Sequence, residues 1–347
     1  MRKGFLLLLS LALISVLLLA GCGSDTEKEA EGATDGGDGE ARTLRVSIGV
    51  NDKHPEYEAS LKFKELVESK TDDLKVEVYH SGQIADDRSA IEMLQFGTLD
   101  ITIPSTSPLV NFVPEFGIFD LPFTIPNGEV ADQVLDGEFG DKMLQMVEDQ
   151  GMVGLAWWEN GFRNLTNDVR PVASLEDVKS LKIRTMENDI HLDAWKALGA
   201  NPTPMAFTEL FTALQQGTID GQENPYPTIL LSNYPEVQEH VSNTNHVYTP
   251  FIFLFSQQIW EQLSTEQQEI VQSAAVEAGK FNRERNREVA EESLDKLKEE
   301  MTYTEVSEEE YKKFQEAVQP VIEKYKDEIG AEIVDQFFSE IENAQSN

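Results

Sequence analysis

The chain has 347 residues, of which 63 are acidic and 28 basic, so its formal net charge at pH 7 is −35. Such a field repels nucleic acid and anionic lipid and argues against both as partners, while solubility or a salty or alkaline habitat is the plainest reason for the excess. The single cysteine excludes an intramolecular disulfide and a cysteine–histidine metal cluster.

The first 22 residues have the pattern of an export signal. Two basic residues precede an uncharged apolar stretch, 5–20, which is short for a membrane span of about 20 residues. The stretch ends in Leu-Ala-Gly-Cys, which resembles the lipobox cut by the lipoprotein signal peptidase. We therefore predict a lipoprotein signal peptide over 1–22 and a lipid such as palmitate on Cys22, anchoring the protein outside the cytoplasm to the cell membrane. The alternatives are an ordinary signal peptide or a plain anchor helix.

Residues 23–41 are predicted to form a disordered acidic tether. They are rich in Gly, Ala, Asp and Glu and contain no aromatic residue, so they cannot build a core. A flexible segment of this length spans roughly 25 Å. The rest of the chain, 42–347, is large for a single core and predicts two lobes.

The first part of this body alternates between strands and helices. Alternating apolar residues predict strands over 43–50, 74–79 and 99–103, and apolar residues at helical spacing predict helices over 57–69 and 87–96. This order implies an α/β lobe with a largely parallel sheet. Ligands in such sheets bind at the carboxyl ends of strands, so the loops after the three strands are candidate walls of a site.

The remaining elements follow the same style and end in long helices. Strands are predicted at 152–158, 181–185 and 248–255, helices at 190–198, 207–216, 264–300, 308–326 and 331–343, and a turn-rich loop at 217–225. A helix over 264–300 exceeds 30 residues, which is unusual in a globular body.

Motifs of catalysis are missing from the sequence. None of the five histidines has metalloprotease spacing, and there is neither a Gly-x-Ser-x-Gly elbow nor a phosphate-binding glycine loop. We therefore predict no catalytic residue, no metal site and no cofactor, and we expect a protein that is not an enzyme.

Two arginines and an asparagine are better candidates for a binding site. Arg184 lies in an apolar strand, where a guanidinium needs an anionic partner, and its two parallel donors match a carboxylate. The alternative is a structural ion pair with one of the many acids. Arg163 has the same alternative or is a surface residue, and Asn224 either donates to a carboxylate or caps a turn.

Six strings of the body carry specific motifs. They are Pro-Thr-Pro-Met-Ala-Phe at 202–207, Gly-Thr-Ile-Asp-Gly-Gln-Glu-Asn-Pro at 217–225, the stretch 174–184 ending in Leu-Lys-Ile-Arg, Gly-Phe-Arg-Asn-Leu-Thr-Asn at 161–167, Ser-Gly-Gln-Ile-Ala-Asp-Asp-Arg at 81–88, and Gln-Phe-Gly-Thr-Leu-Asp at 95–100. Together these strings resemble the solute-binding proteins of TRAP transporters, the DctP family. The resemblance runs over nearly the whole body in order.

The resemblance implies a two-lobe periplasmic-binding-protein-like α/β fold with an interlobe cleft and one long helix spanning both lobes. Lobe 1 is expected over 42–159 plus about 249–290, lobe 2 over 160–248, and the long helix and C-terminal helices over about 264–347. It also implies a bidentate salt bridge from Arg184 to the substrate carboxylate, further contacts from Arg163 and Asn224, and packing of Phe207 on the ligand.

Further candidates for ligand contact follow from position. Asn51 and His54 follow the first strand and Ser105 follows the third, whereas Glu187 and Trp195 follow Arg184. The sialic-acid branch of the family has glutamate at the position of Ser105 and asparagine at that of Glu187, so sialic acid is not expected. A C4-dicarboxylate and a sugar acid such as a uronate remain open.

The leading functional hypothesis is therefore a monomeric, non-enzymatic receptor. It captures a small organic acid through an arginine–carboxylate salt bridge and delivers it to the membrane subunits of a TRAP transporter. A sugar-binding lipoprotein of an ATP-driven importer is the alternative, and it predicts that Arg184 is paired internally. A surface enzyme with this fold is a third class, but no residues for catalysis support it.

Overall fold

The computed structural model describes residues 41–346, which are built around one nine-stranded mixed sheet. The predicted signal peptide, Cys22 and the tether up to residue 40 lie outside the described residues. The strands are β1 (Arg42–Ser47), β2 (Leu74–Tyr79), β3 (Ile101–Thr102), β4 (Met152–Asn167), β5 (Lys182–Thr185), β6 (Asn201–Pro204), β7 (Gly221–Asn224), β8 (His240–Ser256) and β9 (Thr302–Glu305).

Two long antiparallel strands form the middle of the sheet. The strand order is β2-β1-β3-β8-β4-β7-β5-β6, and β9 pairs with β8. On one side β1 runs parallel to β2 and β3, and on the other β5 runs parallel to β6 and β7. Each half thus has its own parallel group, as predicted for an α/β protein, and both groups share β4 and β8.

The shared strands are longer than predicted. β4 has 16 residues and β8 has 17, whereas apolar patterning predicts only 152–158 and 248–255. The missed parts carry polar side chains such as Arg163 and Asn164 that are nonetheless buried, so their hydropathy resembles that of a loop. Pairing with β8 also shifts register around Gly161, whose φ of +118° favours glycine at this bulge.

The helices surround the sheet. They are α1 (Pro55–Glu68), α2 (Asp87–Gln95), α3 (Thr106–Leu109), α4 (Gly128–Leu135), α5 (Glu138–Gln145), α6 (Leu175–Val178), α7 (Asp189–Ala197), α8 (Phe207–Gln215), α9 (Tyr226–Leu231), α10 (Gln257–Trp260), α11 (Thr265–Glu300), α12 (Glu308–Ile329) and α13 (Ala331–Ser346). Among residues 41–346, none of the helices is both long and apolar enough to cross a membrane.

The long helix α11 is confirmed, with 36 residues. Its start is set by a capping box, in which Ser264 and Gln267 satisfy each other's backbone amides. Gly279 lets the helix approach the sheet, because a Cβ there would lie 2.7 Å from the indole Cδ1 of Trp158. The helix contacts α1 and β4 as well as α9, so it packs along both halves of the sheet.

Separate apolar clusters stabilise the two sides. One buries Leu44, Val46 and Phe63 with the β1 side of the sheet, and another buries Leu181 and Ile183 with the β5 side. The prediction of a loop over 217–225 is wrong in part, because Gly221–Asn224 is the buried strand β7 between β4 and β5. Its polar side chains are buried because they hydrogen-bond to polar groups of β4, which sequence patterning does not reveal.

Candidate functional site

A cavity is lined by residues that follow strands of both parallel groups, including Val50, Ser105, Glu187 and Phe207. About 40 Å³ of its interior is open to the centres of water molecules, several times the ~10–15 Å³ that one buried water requires. Its lining residues come from both halves of the sheet. The predicted residues that line it are Ser105, Arg163, Arg184, Glu187, Phe207 and Asn224.

Arg184 is a buried cation that forms no ion pair within 4.0 Å among the described residues. On β5, it is 2% exposed, and its Nε donates to the carbonyl of Met205 at 2.9 Å. Its Nη1 has no hydrogen-bond partner among the described residues, and none of their carboxylates forms an ion pair with it within 4.0 Å. Burial lowers its pKa to about 10, so the guanidinium remains charged at neutral pH. An unpaired buried charge is costly in free energy, so this site favours an anion.

Arg163 lies beside it but is already neutralised. Its Nε lies 2.5 Å from Glu223 Oε2, and its Nη2 donates to the Glu223 carbonyl at 2.6 Å and to Asn224 Oδ1 at 3.1 Å. One donor, Nη1, has no partner within residues 41–346. The alternative of a structural ion pair therefore holds for Arg163, with one donor left for a ligand, but fails for Arg184.

Glu223 is itself held by two partners. His246 Nε2 lies 3.0 Å from Glu223 Oε2, and His246 Nδ1 lies 2.9 Å from Thr244 Oγ1, so the ring is oriented from both sides. Burial alone would raise the pKa of Glu223, but the Arg163 charge and the hydrogen bonds from His246 and Arg163 outweigh it and hold that pKa well below its usual range. Burial lowers the pKa of His246 despite Glu223, which keeps the ring neutral.

Asn224 and Phe207 line the cavity together with Arg163 and Arg184. Asn224 pairs in β7 with Asn164 of β4, and its Nδ2 donates to Gln222 Oε1 at 2.5 Å. Its amide is thus fixed by neighbours on both sides, and its predicted alternative of capping a turn is wrong. Phe207 is the first residue of α8 and lines the cavity half-buried.

The part of the cavity lining that comes from α1 and α2, here called the carboxyl wall, carries carboxyl groups that sequence reasoning missed. Glu56 in the first turn of α1 and Asp87 at the start of α2 both line the cavity. Burial, followed by the charge of Asp87, raises the pKa of Glu56 well above its usual value. Burial also raises the pKa of Asp87 to about 6, although a hydrogen bond from the Ser105 backbone amide lowers it. The only sequence signal for Glu56 was its position after the first strand. That signal led instead to Asn51 and His54, on the loop between β1 and α1.

Three predicted residues do not line the cavity. Asn51 Nδ2 donates to the Leu231 carbonyl at 2.7 Å, and His54 Nε2 lies 3.1 Å from Thr228 Oγ1, so both contact α9 instead. Burial lowers the pKa of His54 to about 3. Trp195 is 1% exposed in an apolar cluster, with its ring edge against His246, because α7 turns this face toward the core.

Ser105 and Glu187 lie at the cavity, as expected from position. The Ser105 hydroxyl is buried and has no hydrogen-bond partner in the part of the chain that the structure describes. Glu187 lies 3.8 Å from Arg88, the third arginine of the lining. Residues 41–346 contain no group of three or more histidine, cysteine or acidic side chains arranged to hold a metal ion.

Comparison with known proteins places these features in one family. The family model for bacterial extracellular solute-binding proteins, family 7 (DctP), matches residues 46–328. A solute-binding protein of Verminephrobacter eiseniae is 40% identical over 244 residues, 70% of this chain and 73% of that protein. The C4-dicarboxylate-binding periplasmic protein DctP of Rhodobacter capsulatus is 32% identical over 298 residues, 84% of this chain and 88% of that protein.

Solved structures share the fold. The sugar acid binding protein DctPAm of Advenella mimigardefordensis, in complex with galactonate, superposes with a TM-score of 0.87 at 42% identity, covering 88% of this chain and all of that one (100%). A TRAP periplasmic solute-binding protein of Polaromonas sp. JS666, bound to D-erythronate, gives 0.83 at 39% identity, with 86% and 98% coverage.

Proposed function

The chain belongs to family 7 of the bacterial extracellular solute-binding proteins, the DctP family, and we propose that it is the receptor that captures a small organic acid for a TRAP transporter. The observation that carries this proposal is Arg184, a buried guanidinium at the cavity with a free Nη1 and no ion pair among the described residues. The relatives of this chain are solute-binding transport proteins rather than enzymes.

In this proposal a ligand carboxylate takes the place of the anion that Arg184 lacks. The guanidinium presents parallel donors to it, and such charge-assisted hydrogen bonds are stronger than neutral ones. Arg163 adds its free Nη1, held in place by Glu223, and Asn224 contributes its fixed amide. Phe207 packs against the body of the ligand.

Ligand contacts from both sides favour the closed arrangement. Glu56 and Ser105 face the cavity from the β1 side, and Arg184 and Asn224 face it from the β5 side. A ligand that bridges them shifts the equilibrium toward closure by its differential affinity. We take 42–159 plus about 249–290 as one lobe and 160–248 as the other, joined by β4 and β8. In this scheme Asn51 and His54 stabilise closure through α9 rather than by touching the ligand.

The neutral-sugar alternative is not supported. It predicts an internally paired Arg184, whereas that side chain lacks an ion pair among residues 41–346. The comparisons likewise support a TRAP receptor and not a component of an ATP-driven importer.

Members of the family act outside the cytoplasm, and the proposal extends to how this chain is held there. We propose that Cys22 carries a lipid that anchors a monomeric receptor near the membrane subunits of its transporter. The Leu-Ala-Gly-Cys string supports this. Labelling with a palmitate analogue should mark the wild-type chain and not Cys22→Ala, and release of an unlabelled wild-type protein into the medium would contradict the anchor.

Calorimetric titration of Arg184→Gln tests the carboxylate site. A panel of C4-dicarboxylates and sugar acids should include a ligand for the wild-type protein, and the variant should bind it at least about 100-fold more weakly, which corresponds to ~2.7 kcal/mol. Arg42→Gln is the matched control, because Arg42 makes an exposed hydrogen bond to Gln262 and does not line the cavity. Equal affinity of wild type and Arg184→Gln would refute the proposed function.

A further inference from the structure

Two carboxyl groups at the cavity take no part in holding a ligand carboxylate. Glu56 is 1% exposed, and neither of its carboxyl oxygens has a hydrogen-bond partner among the described residues. Asp87 lines the same cavity, close enough for its charge to act on Glu56. A buried carboxyl that receives no hydrogen bonds costs free energy, so Glu56 needs donors from a molecule that enters the cavity.

We propose that Glu56 and Asp87 form a subsite for hydroxyl groups, so that the receptor selects polyhydroxylated monocarboxylic acids and rejects dicarboxylic acids. This inference rests on the proposed function, because it assumes that the ligand carboxylate lies at Arg184. A hydroxyl group both donates and accepts, so it satisfies a carboxyl in either protonation state. A second ligand carboxylate has no hydrogen to donate and repels ionised Asp87.

The two sets of groups lie on different elements of the fold, although Asp87 and Arg184 are close enough for their charges to act on each other. Arg163, Arg184 and Asn224 lie on β4, β5 and β7, which are neighbours in the sheet. Glu56 and Asp87 lie on α1 and α2, which follow β1 and β2 in the other parallel group. A ligand whose carboxylate binds Arg184 therefore extends through a cavity that the carboxyl groups of α1 and α2 also line.

The charge of the lining also opposes a second carboxylate. Four acids line the cavity, Glu56, Asp86, Asp87 and Glu187, against three arginines. Of these arginines, Arg163 is already paired with Glu223. Arg88 lies 3.7 Å from Glu92 and 3.8 Å from Glu187 with 43% of its side chain exposed, so its charge is shared and screened. Among these three arginines, Arg184 alone forms no ion pair with the described residues, which leaves one cation for one ligand carboxylate.

Calorimetry of the full chain with four defined probes tests the selectivity. The probes are galactonate and D-erythronate as hydroxylated monocarboxylates, butanoate as the same acid type without hydroxyls, and succinate as a dicarboxylate. We expect at least one hydroxylated acid to bind at least 100-fold more tightly than succinate and butanoate.

Variants of the carboxyl groups assign that selectivity to residues. Glu56→Leu removes both carboxyl oxygens and keeps a side chain of similar size, so we expect it to weaken the hydroxylated acid 10- to 100-fold and to leave or improve the affinity for succinate. Asp87→Asn should act in the same direction, because it removes the charge. Glu65→Leu is the matched control on the same helix, because Glu65 has 71% of its side chain exposed and pairs only with Lys62 among the ion pairs of the described residues. It should change no affinity.

The outcomes separate this inference from the function on which it rests. If succinate binds the wild type as tightly as the hydroxylated acids and Arg184→Gln loses both, the receptor function stands and the hydroxyl subsite is refuted. Unchanged affinities in folded Glu56→Leu and Asp87→Asn refute it as well. If none of the acids binds the wild type, the proposed function fails with it.

Discussion

Arg163 and Arg184 face the same cavity, but their charges are balanced in different ways. Arg163 has a carboxylate partner within the protein, and Glu223 is in turn oriented by His246. Arg184 has only a backbone carbonyl as partner in the part of the chain that the structure describes. The difference indicates that one arginine belongs to the folded framework and the other is reserved for an external anion.

Removing Arg163 should have the largest effect on stability. Arg163→Gln leaves Glu223 buried without its cation, and breaking one side of a buried pair costs about 3–5 kcal/mol. Chemical denaturation should measure that loss in the free energy of unfolding. The double variant Arg163→Gln with Glu223→Gln should recover much of it, because both charges are then absent. A single variant as stable as the wild type would remove the contrast between the arginines.

The carboxyl wall should give a smaller effect, visible in its pH dependence. The pKa of Asp87 is raised from 3.8 to about 6, so between these values the folded state binds the proton more tightly than the unfolded chain. Stability of the wild type therefore falls as pH rises from about 4 to 6 relative to Asp87→Asn, by on the order of 1 kcal/mol after screening. Melting temperatures of both proteins across that range test the sign. A wild type that gains stability relative to the variant would contradict the burial of Asp87.

Removing Arg184 should have the smallest effect on stability. The substitution removes the hydrogen bond to Met205, but it also removes a buried charge that has no ion pair among the described residues. The free energy of unfolding of Arg184→Gln without ligand should therefore stay within about 1 kcal/mol of the wild type. Denaturation in the absence of ligand measures it. A loss as large as that of Arg163→Gln would indicate a structural role for Arg184 and would break the comparison.

Local patterns predicted most elements. Strand β2 and helices α1, α2, α7 and α8 lie within about two residues of their predicted bounds, because alternation and helical spacing are local properties. Predictions failed where polar side chains are buried, in the second half of β4 and in β7. There the stabilising partner lies far along the chain, so that Arg163 and Glu223 are separated by 60 residues.

Reasoning from position along the chain predicted only part of the site. It identified the loop after the first strand but selected Asn51 and His54, which do not line the cavity, and it missed Glu56, which does. Which side of a loop faces a cavity depends on how the next helix packs, and helix α1 buries Glu56 while His54 caps its start. Trp195 was placed near the ligand for its ring, but its helix packs that ring into an apolar cluster.

The sequence by itself determined the family, the α/β class, the long helix and the three polar residues expected to hold a carboxylate, because these follow from strings and periodicities along the chain. Only the tertiary structure decided that, within residues 41–346, Arg163 has an ion pair and Arg184 has none, and that Glu56 lines the cavity without a hydrogen-bond donor from those residues. The physical reason is that a buried charge is defined by its partners in space. Those partners lie on strands and helices that are distant along the chain, and local sequence patterns do not show which of these elements are neighbours in space.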